Sequence, residues 1–156
     1  MTVKRPPLLT PDRIKFKKRI ESKKCVIDLL TKLLAKGQSE VTKNDIFDAL
    51  IAREKLGNTS IGNGVSIPRA HLPITNPRAA LLILESGLEM NTVDKKPVNV
   101  FLGVLIPEKE TQEYGLLFTR LNKAFSNEEN VTALTASSNP ERIVTLFEKL
   151  VNLEME

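Results

Sequence analysis

Two apolar stretches, residues 79–84 and 98–106, decide what this chain can fold into. The second reads Val-Asn-Val-Phe-Leu-Gly-Val-Leu-Ile, nearly apolar throughout, as expected of a strand at the middle of a sheet covered on both faces. The cover is written on either side of the pair. Ser22 precedes helical spacing through Cys25, Val26, Leu29, Leu30, Leu33 and Leu34, closed by Gly37. Thr42 with Asp45 makes a capping box that opens a second helix through Ile46, Phe47, Leu50 and Ile51 to Gly57. Residues 112–125, 128–135 and 140–153 carry apolar residues at helical spacing again. Residues 14–17 alternate as a short half-buried strand. Strands bracketed by helices in this order predict an α/β fold: a single domain, 1–156, with a mixed β-sheet and helices on both faces. Residues 1–12, bearing prolines and basic side chains, are expected to form a loosely ordered arm. Cys25 falls on the apolar stripe and reads as a small core residue.

Composition excludes several chemistries. A lone cysteine rules out a disulfide framework and multi-cysteine zinc or iron–sulfur sites, and a lone histidine, His71, rules out any scheme needing two imidazoles. No metal or other cofactor is expected. No apolar run approaches eighteen residues and the basic N-terminus lacks a signal peptide's apolar stretch, so a cytoplasmic protein without membrane insertion is expected. The net charge of +4 is uneven: residues 1–24 hold nine Lys or Arg against Asp12 and Glu21, and the rest is net acidic. This cluster reads as a solvated arm with an edge strand. Its alternative is a docking surface, through residues 4–24, for an acidic partner or a nucleic-acid backbone, with salt-sensitive binding. Basic residues are not interleaved with aromatics along the chain, which argues against a nucleic-acid partner.

Residues 53–68, Arg-Glu-Lys-Leu-Gly-Asn-Thr-Ser-Ile-Gly-Asn-Gly-Val-Ser-Ile-Pro, are not accounted for by packing. From Leu56 to Pro68 there is no charge, and Gly57, Gly62 and Gly64 let backbone N–H groups approach an anion. Arg53, at the end of the second helix, either complements the helix dipole or clamps an anion with its fork of donors. The spacing matches neither a P-loop nor a dinucleotide fingerprint.

This segment closely resembles the signature of type-2 IIA domains of the phosphoenolpyruvate-dependent phosphotransferase system, the mannitol and fructose class, and within it the nitrogen-regulatory IIA proteins. The likeness runs from about Glu40 to Leu150 and includes Val-Leu-Ile-Pro-Glu-Lys-Glu-Thr at 104–111. The resemblance implies a mixed-sheet α/β domain and phosphoryl transfer through a histidine, with a phosphocarrier protein and regulated targets, such as a kinase or a transporter, as partners. It also implies a phosphate-binding set of Arg53, Ser60, Gly62, Asn63 and Gly64.

Where the family reads Ile-Pro-His, with that histidine the phosphoryl acceptor, this chain has Arg69; where many members carry a second histidine, it has Tyr114, expected to line the site. A guanidinium offers no lone pair at neutral pH and cannot accept phosphate. If 69–71 are extended, His71 shares the face of Arg69 with Cα atoms roughly 6.5–7 Å apart, which makes it a candidate displaced acceptor. Phosphotransferase activity is therefore open. A regulator working through protein contacts, a phosphoryl carrier using His71, and a nucleic-acid-associated module docking through the basic N-terminus are the three readings. With Arg53, Arg69 would make a permanently cationic pocket suited to a phosphate, a carboxylate or an acidic side chain.

Overall fold

A computed structural model describes residues 6–109 and 111–153. After a 3-10 turn at Pro11–Arg13 come β1 (Ile14–Lys17), α1 (Lys23–Leu34) and α2 (Lys43–Leu56). Three short strands follow, β2 (Ser60–Gly62), β3 (Val65–Ser66) and β4 (Arg69–Leu72). The long pair β5 (Arg78–Leu88) and β6 (Val98–Pro107) precedes α3 (Thr111–Ser126), α4 (Glu128–Thr135) and α5 (Pro140–Leu153).

Local chemistry sets the helix starts. The Ser22 hydroxyl accepts the Cys25 amide at 3.2 Å to cap α1. In α2 both capping-box bonds form, Asp45 N–H to Thr42 Oγ1 at 3.1 Å and Thr42 N–H to Asp45 Oδ2 at 2.9 Å. The Asn127 carboxamide does the same for α4 by accepting from Glu129 and Asn130.

The sheet runs β1-β5-β6-β3-β2, with β4 also on β6. β1 is parallel to β5, β5 antiparallel to β6, β3 and β4 parallel to β6, and β2 antiparallel to β3. β3 and β4 together act as one interrupted strand along β6, broken at Ile67-Pro68. There the Pro68 carbonyl still accepts the Val104 amide at 2.9 Å, while Ile67 turns its amide to the Thr59 carbonyl at 3.0 Å. Alternate residues of β6 serve two cores. Val100, Leu102, Val104 and Ile106 pack on the α3–α5 side with Phe125 and Phe147, whereas Phe101 and Leu105 pack on the α1–α2 side with Leu30, Leu34 and Leu50. The predicted layering, helices on both faces of a mixed sheet, is the one observed.

Three expectations are corrected. The segment 53–68, to which no strand was assigned from the sequence, contains β2 and β3, because pairing to β6 and its neighbours organises segments too short to show a period, while the extended run considered at 69–71 is β4. Cys25 is exposed: its position in the first turn of α1 turns it away from the core that Val26, Ile27 and Leu30 enter. The basic arm is packed in its later part. Leu9 is fully buried, the Leu8 carbonyl accepts the Ala79 amide at 2.7 Å, and Arg13 is buried, its Nε donating to Ala79 O and its Nη2 to Leu8 O, both at 2.9 Å. Burial, with the Arg78 charge nearby, lowers the Arg13 pKa to about 10, so it remains a cation that ties the entry segment to β5. Residues 1–5 of the arm lie outside the described residues.

Candidate functional site

Arg53 lies in the last turn of α2 and Arg69 at the start of β4, two elements that pack against each other. On β4 the side chains alternate: Ala70 and Leu72 are buried on the α1–α2 side, and Arg69 and His71 take the opposite face. Arg69 is half-buried, with its guanidinium 4.0 Å from the centre of the Phe118 ring of α3 and its Nη1 donating to Ile67 O at 3.2 Å. Arg53 Nη1 donates to Gly57 O at 3.1 Å, closing the C-terminus of α2. Burial, and then the charge of Arg53, lower the Arg69 pKa below the usual arginine value, while Glu54 opposes the shift. Arg69 remains a cation at neutral pH. His71 is exposed and sits opposite Ile106 on β6.

Beneath the arginines runs a polar network that sequence reasoning missed. Glu54, with its side chain 5% exposed, pairs with Lys23 at 2.6 Å and accepts a short hydrogen bond from the Thr59 hydroxyl. Thr59 and Ser66, both buried, share a 3.0 Å hydrogen bond. Glu54 directly follows Arg53 in the motif, which was its only signal.

The glycine turn does not join this cluster. Asn63, with φ 54°, donates its amide to Asp94 Oδ2 at 2.9 Å, and Asp94 also accepts from Thr92 Oγ1 at 2.8 Å and from the Lys96 amide at 3.1 Å. Gly64 has φ +80°, and a Cβ there would stand 2.6 Å from Asn99 Oδ1, so only glycine fits. The nest that sequence reading assigned to phosphate, Gly62-Asn63-Gly64, thus holds the chain's own carboxylate. It is also remote: Val65 pairs with Val100 and Arg69 with Val104, four residues along β6 or about 13 Å. Ser60 lies opposite Ser66, its amide bonded to Asn58 Oδ1 at 2.9 Å. Tyr114 is buried and lines a cavity of about 360 Å³ with Pro73, Thr75, Pro107 and Lys109, and it is Phe118, one helical turn on, that meets Arg69.

The Asn63 amide, helped by Lys96 and Thr92, holds the Asp94 carboxyl below the usual range; the Thr75 hydroxyl and amide do so for Glu40, and the Thr42 amide for Asp45. A depressed carboxyl pKa contributes stability that is present above the ordinary value of about 4 and is lost as pH falls through the depressed one. Thermal midpoints measured from pH 6 downwards are expected to fall below about pH 4, and the fall should be shallower in Asp94→Asn than in the wild type.

Among the described residues no group of three or more His, Cys, Asp or Glu is placed to hold a metal, and no helix is long and apolar enough to cross a membrane.

The chain belongs to the family of the phosphoenolpyruvate-dependent sugar phosphotransferase system, EIIA 2, whose profile matches residues 7–150. It is similar to the nitrogen regulatory protein of Pseudomonas aeruginosa, 36% identical over 108 residues that cover 69% of this chain and 70% of the relative. Its structure resembles the nitrogen regulatory protein IIA-Ntr of Neisseria meningitidis, with a TM-score of 0.82, 28% identity, and 89% and 95% of the two chains covered. The fold is shared with the mannitol IIA enzyme of Escherichia coli, solved in complex with phosphorylated IIB, at a TM-score of 0.67, 18% identity and coverage of 86% and 94%.

Proposed function

We propose that this chain is a nitrogen-regulatory IIA protein that acts by protein–protein contact and does not carry phosphate at position 69. The observation that carries the reading is Arg69 itself, seated at the start of β4 where the family resemblance puts the acceptor, with its guanidinium lying on Phe118 and facing the field of Arg53. Transfer needs a lone pair aimed in line at phosphorus, and neither guanidinium provides one. The partners are a phosphocarrier protein and a regulated target such as a kinase or a transporter. The phosphorylated IIB bound to the mannitol relative illustrates the kind of contact.

A second reading, a carrier using His71, draws on the exposure of that imidazole on the Arg69 face. It is disfavoured by placement, because a shift of roughly 6.5–7 Å along the strand removes the alignment that transfer depends on. Nucleic-acid docking through the basic N-terminus loses Arg13, which is buried in bonds to backbone carbonyls.

The test is intact-mass spectrometry at neutral to basic pH after incubation with phosphoenolpyruvate, enzyme I and a phosphocarrier protein. The expected result is no added phosphate on the wild type. One phosphate that disappears in His71→Ala would replace this reading with the carrier.

A further inference from the structure

A cleft of about 300 Å³ opens where the entry segment, the connection between α1 and α2 and the connection between β4 and β5 meet. Two guanidiniums line it, Arg13 from the 3-10 turn and Arg78 from the first residue of β5. They hold to one stretch of backbone, since Arg13 Nε donates at 2.9 Å to the carbonyl of Ala79, the residue next to Arg78. Arg13 is 5% exposed, and while its Nε and Nη2 are bonded to backbone carbonyls, its Nη1 has no hydrogen-bond partner among the described residues. Arg78 gives Nη1 to the Leu34 carbonyl at 3.0 Å, at the end of α1, which leaves its Nε and Nη2. Among the described residues no carboxylate lies within 4 Å of either guanidinium. Asp12 acts on both from further off and is itself hydrogen-bonded to the Thr10 hydroxyl. A buried cation without a counter-charge in contact is an unfavourable arrangement that an anion would complete.

The third charge lining the cleft has the opposite sign. Glu40 accepts the Thr75 amide on Oε1 at 3.0 Å and the Thr75 hydroxyl on Oε2 at 2.7 Å. A carboxylate offers about four acceptor sites, so each oxygen keeps one. Pro7, Ile74 and Pro77 add apolar wall between these groups.

We infer that this cleft binds a small amino acid, with its carboxylate on Arg13 and Arg78 and its ammonium group on Glu40. Two cations and one carboxylate suit a ligand that is negative at one end and a donor at the other. A phosphate or a dicarboxylate would set its second charge against Glu40. The volume lies at the lower end of the roughly 300–1,000 Å³ of small-molecule sites, and an inorganic ion would leave most of it to water. The cleft is also separate from position 69: Arg78 is bonded to the end of α1, on the α1–α2 side of the sheet, whereas Arg69 lies against Phe118 of α3 on the opposite face.

The experiment is calorimetric titration of the full chain with glycine and δ-aminovalerate, each beside its amine-free counterpart, acetate or valerate, and with inorganic phosphate. The two amino acids span a short and a long separation of charges. At least one is expected to bind, about fivefold tighter than its counterpart, which is what an ion pair with an exposed carboxylate supplies. Arg78→Gln should weaken that binding about tenfold or more, because charge-assisted hydrogen bonds are lost, and Arg78→Lys should retain part of it. Arg13 also ties the entry segment to β5, so Glu40→Gln serves as the second variant: it should bring the amino acid down to the affinity of its counterpart without weakening the counterpart. Amide NMR shifts on titration are expected at residues 37–40 and 74–78. Failure of both amino acids to bind at tens of millimolar, binding unchanged in Arg78→Gln, or shifts confined to other parts of the chain would overturn the inference. Acetate, valerate or phosphate binding as tightly as the amino acids would overturn the pairing of ammonium with Glu40.

Discussion

Under the proposed function, Arg69→His is expected to convert an unmodified chain into one that takes about one phosphate per molecule from phosphoenolpyruvate through enzyme I and a phosphocarrier protein. Position 69 is the first residue of β4, pinned to β6 by the pairing with Val104, so the substitution changes the side chain without changing where the backbone presents it. An imidazole there replaces a group with no lone pair by one that is a nucleophile near neutral pH. Arg53, whose charge is felt at position 69, remains to offset the incoming charge, and the Lys23–Glu54–Thr59–Ser66 network is untouched. Intact mass at neutral to basic pH reads the outcome, with Arg69→Gln as the control that also removes the cation but adds no nucleophile. If Arg69→His stays unmodified while its fold is intact, the reading of position 69 as a vacated acceptor is wrong.

Phe101→Ala should be the most damaging single change to stability. Phe101 is fully buried at the middle of β6, between Leu82 on β5 and Ser66 on β3, on the face that α1 and α2 cover. Its neighbour on that face, Gly103, already seats Leu30 and Leu34, whose methyl groups would come within 3.3 Å of a Cβ placed there. The cover is therefore held in position and cannot close easily over the space a lost phenyl leaves. Removal of a buried Phe costs about 3–5 kcal/mol, which lowers the thermal midpoint by about 10 °C in a domain of this size. A midpoint within a few degrees of the wild type, by calorimetry or circular dichroism, would show that the layer relaxes more freely than the packing around Gly103 implies.

What the sequence disclosed followed from how local each cause was. The capping residues Ser22 and Thr42 and the apolar spacing behind them located α1 and α2, and the run through Phe101 announced a central strand. The strands β2, β3 and β4 have two to four residues each, too few to display a period, and exist because β6 offers them a partner. Cys25 carried the right spacing for the core but sits in the first helical turn, where the entering chain decides exposure. In the candidate site, Arg53 was singled out by the motif and Arg69 by the family resemblance just beyond it. The fate of the glycine turn was not, since its occupant, Asp94, lies 31 residues further on and has no local mark. Phe118 was likewise overshadowed by Tyr114, four residues before it on the same helix.

Two of the sheet's edge strands also limit how molecules of this kind meet. One is β1, four residues long, in which Lys15 and Lys17 flank Phe16; another is β2, three residues with an irregular register against β3. A neighbouring chain trying to extend the sheet would find charged flanks on one side and too short, too uneven a template on the other. Strand-to-strand stacking is thereby discouraged at β1 and at β2, so encounters between copies of this chain are turned away from sheet extension at these two edges.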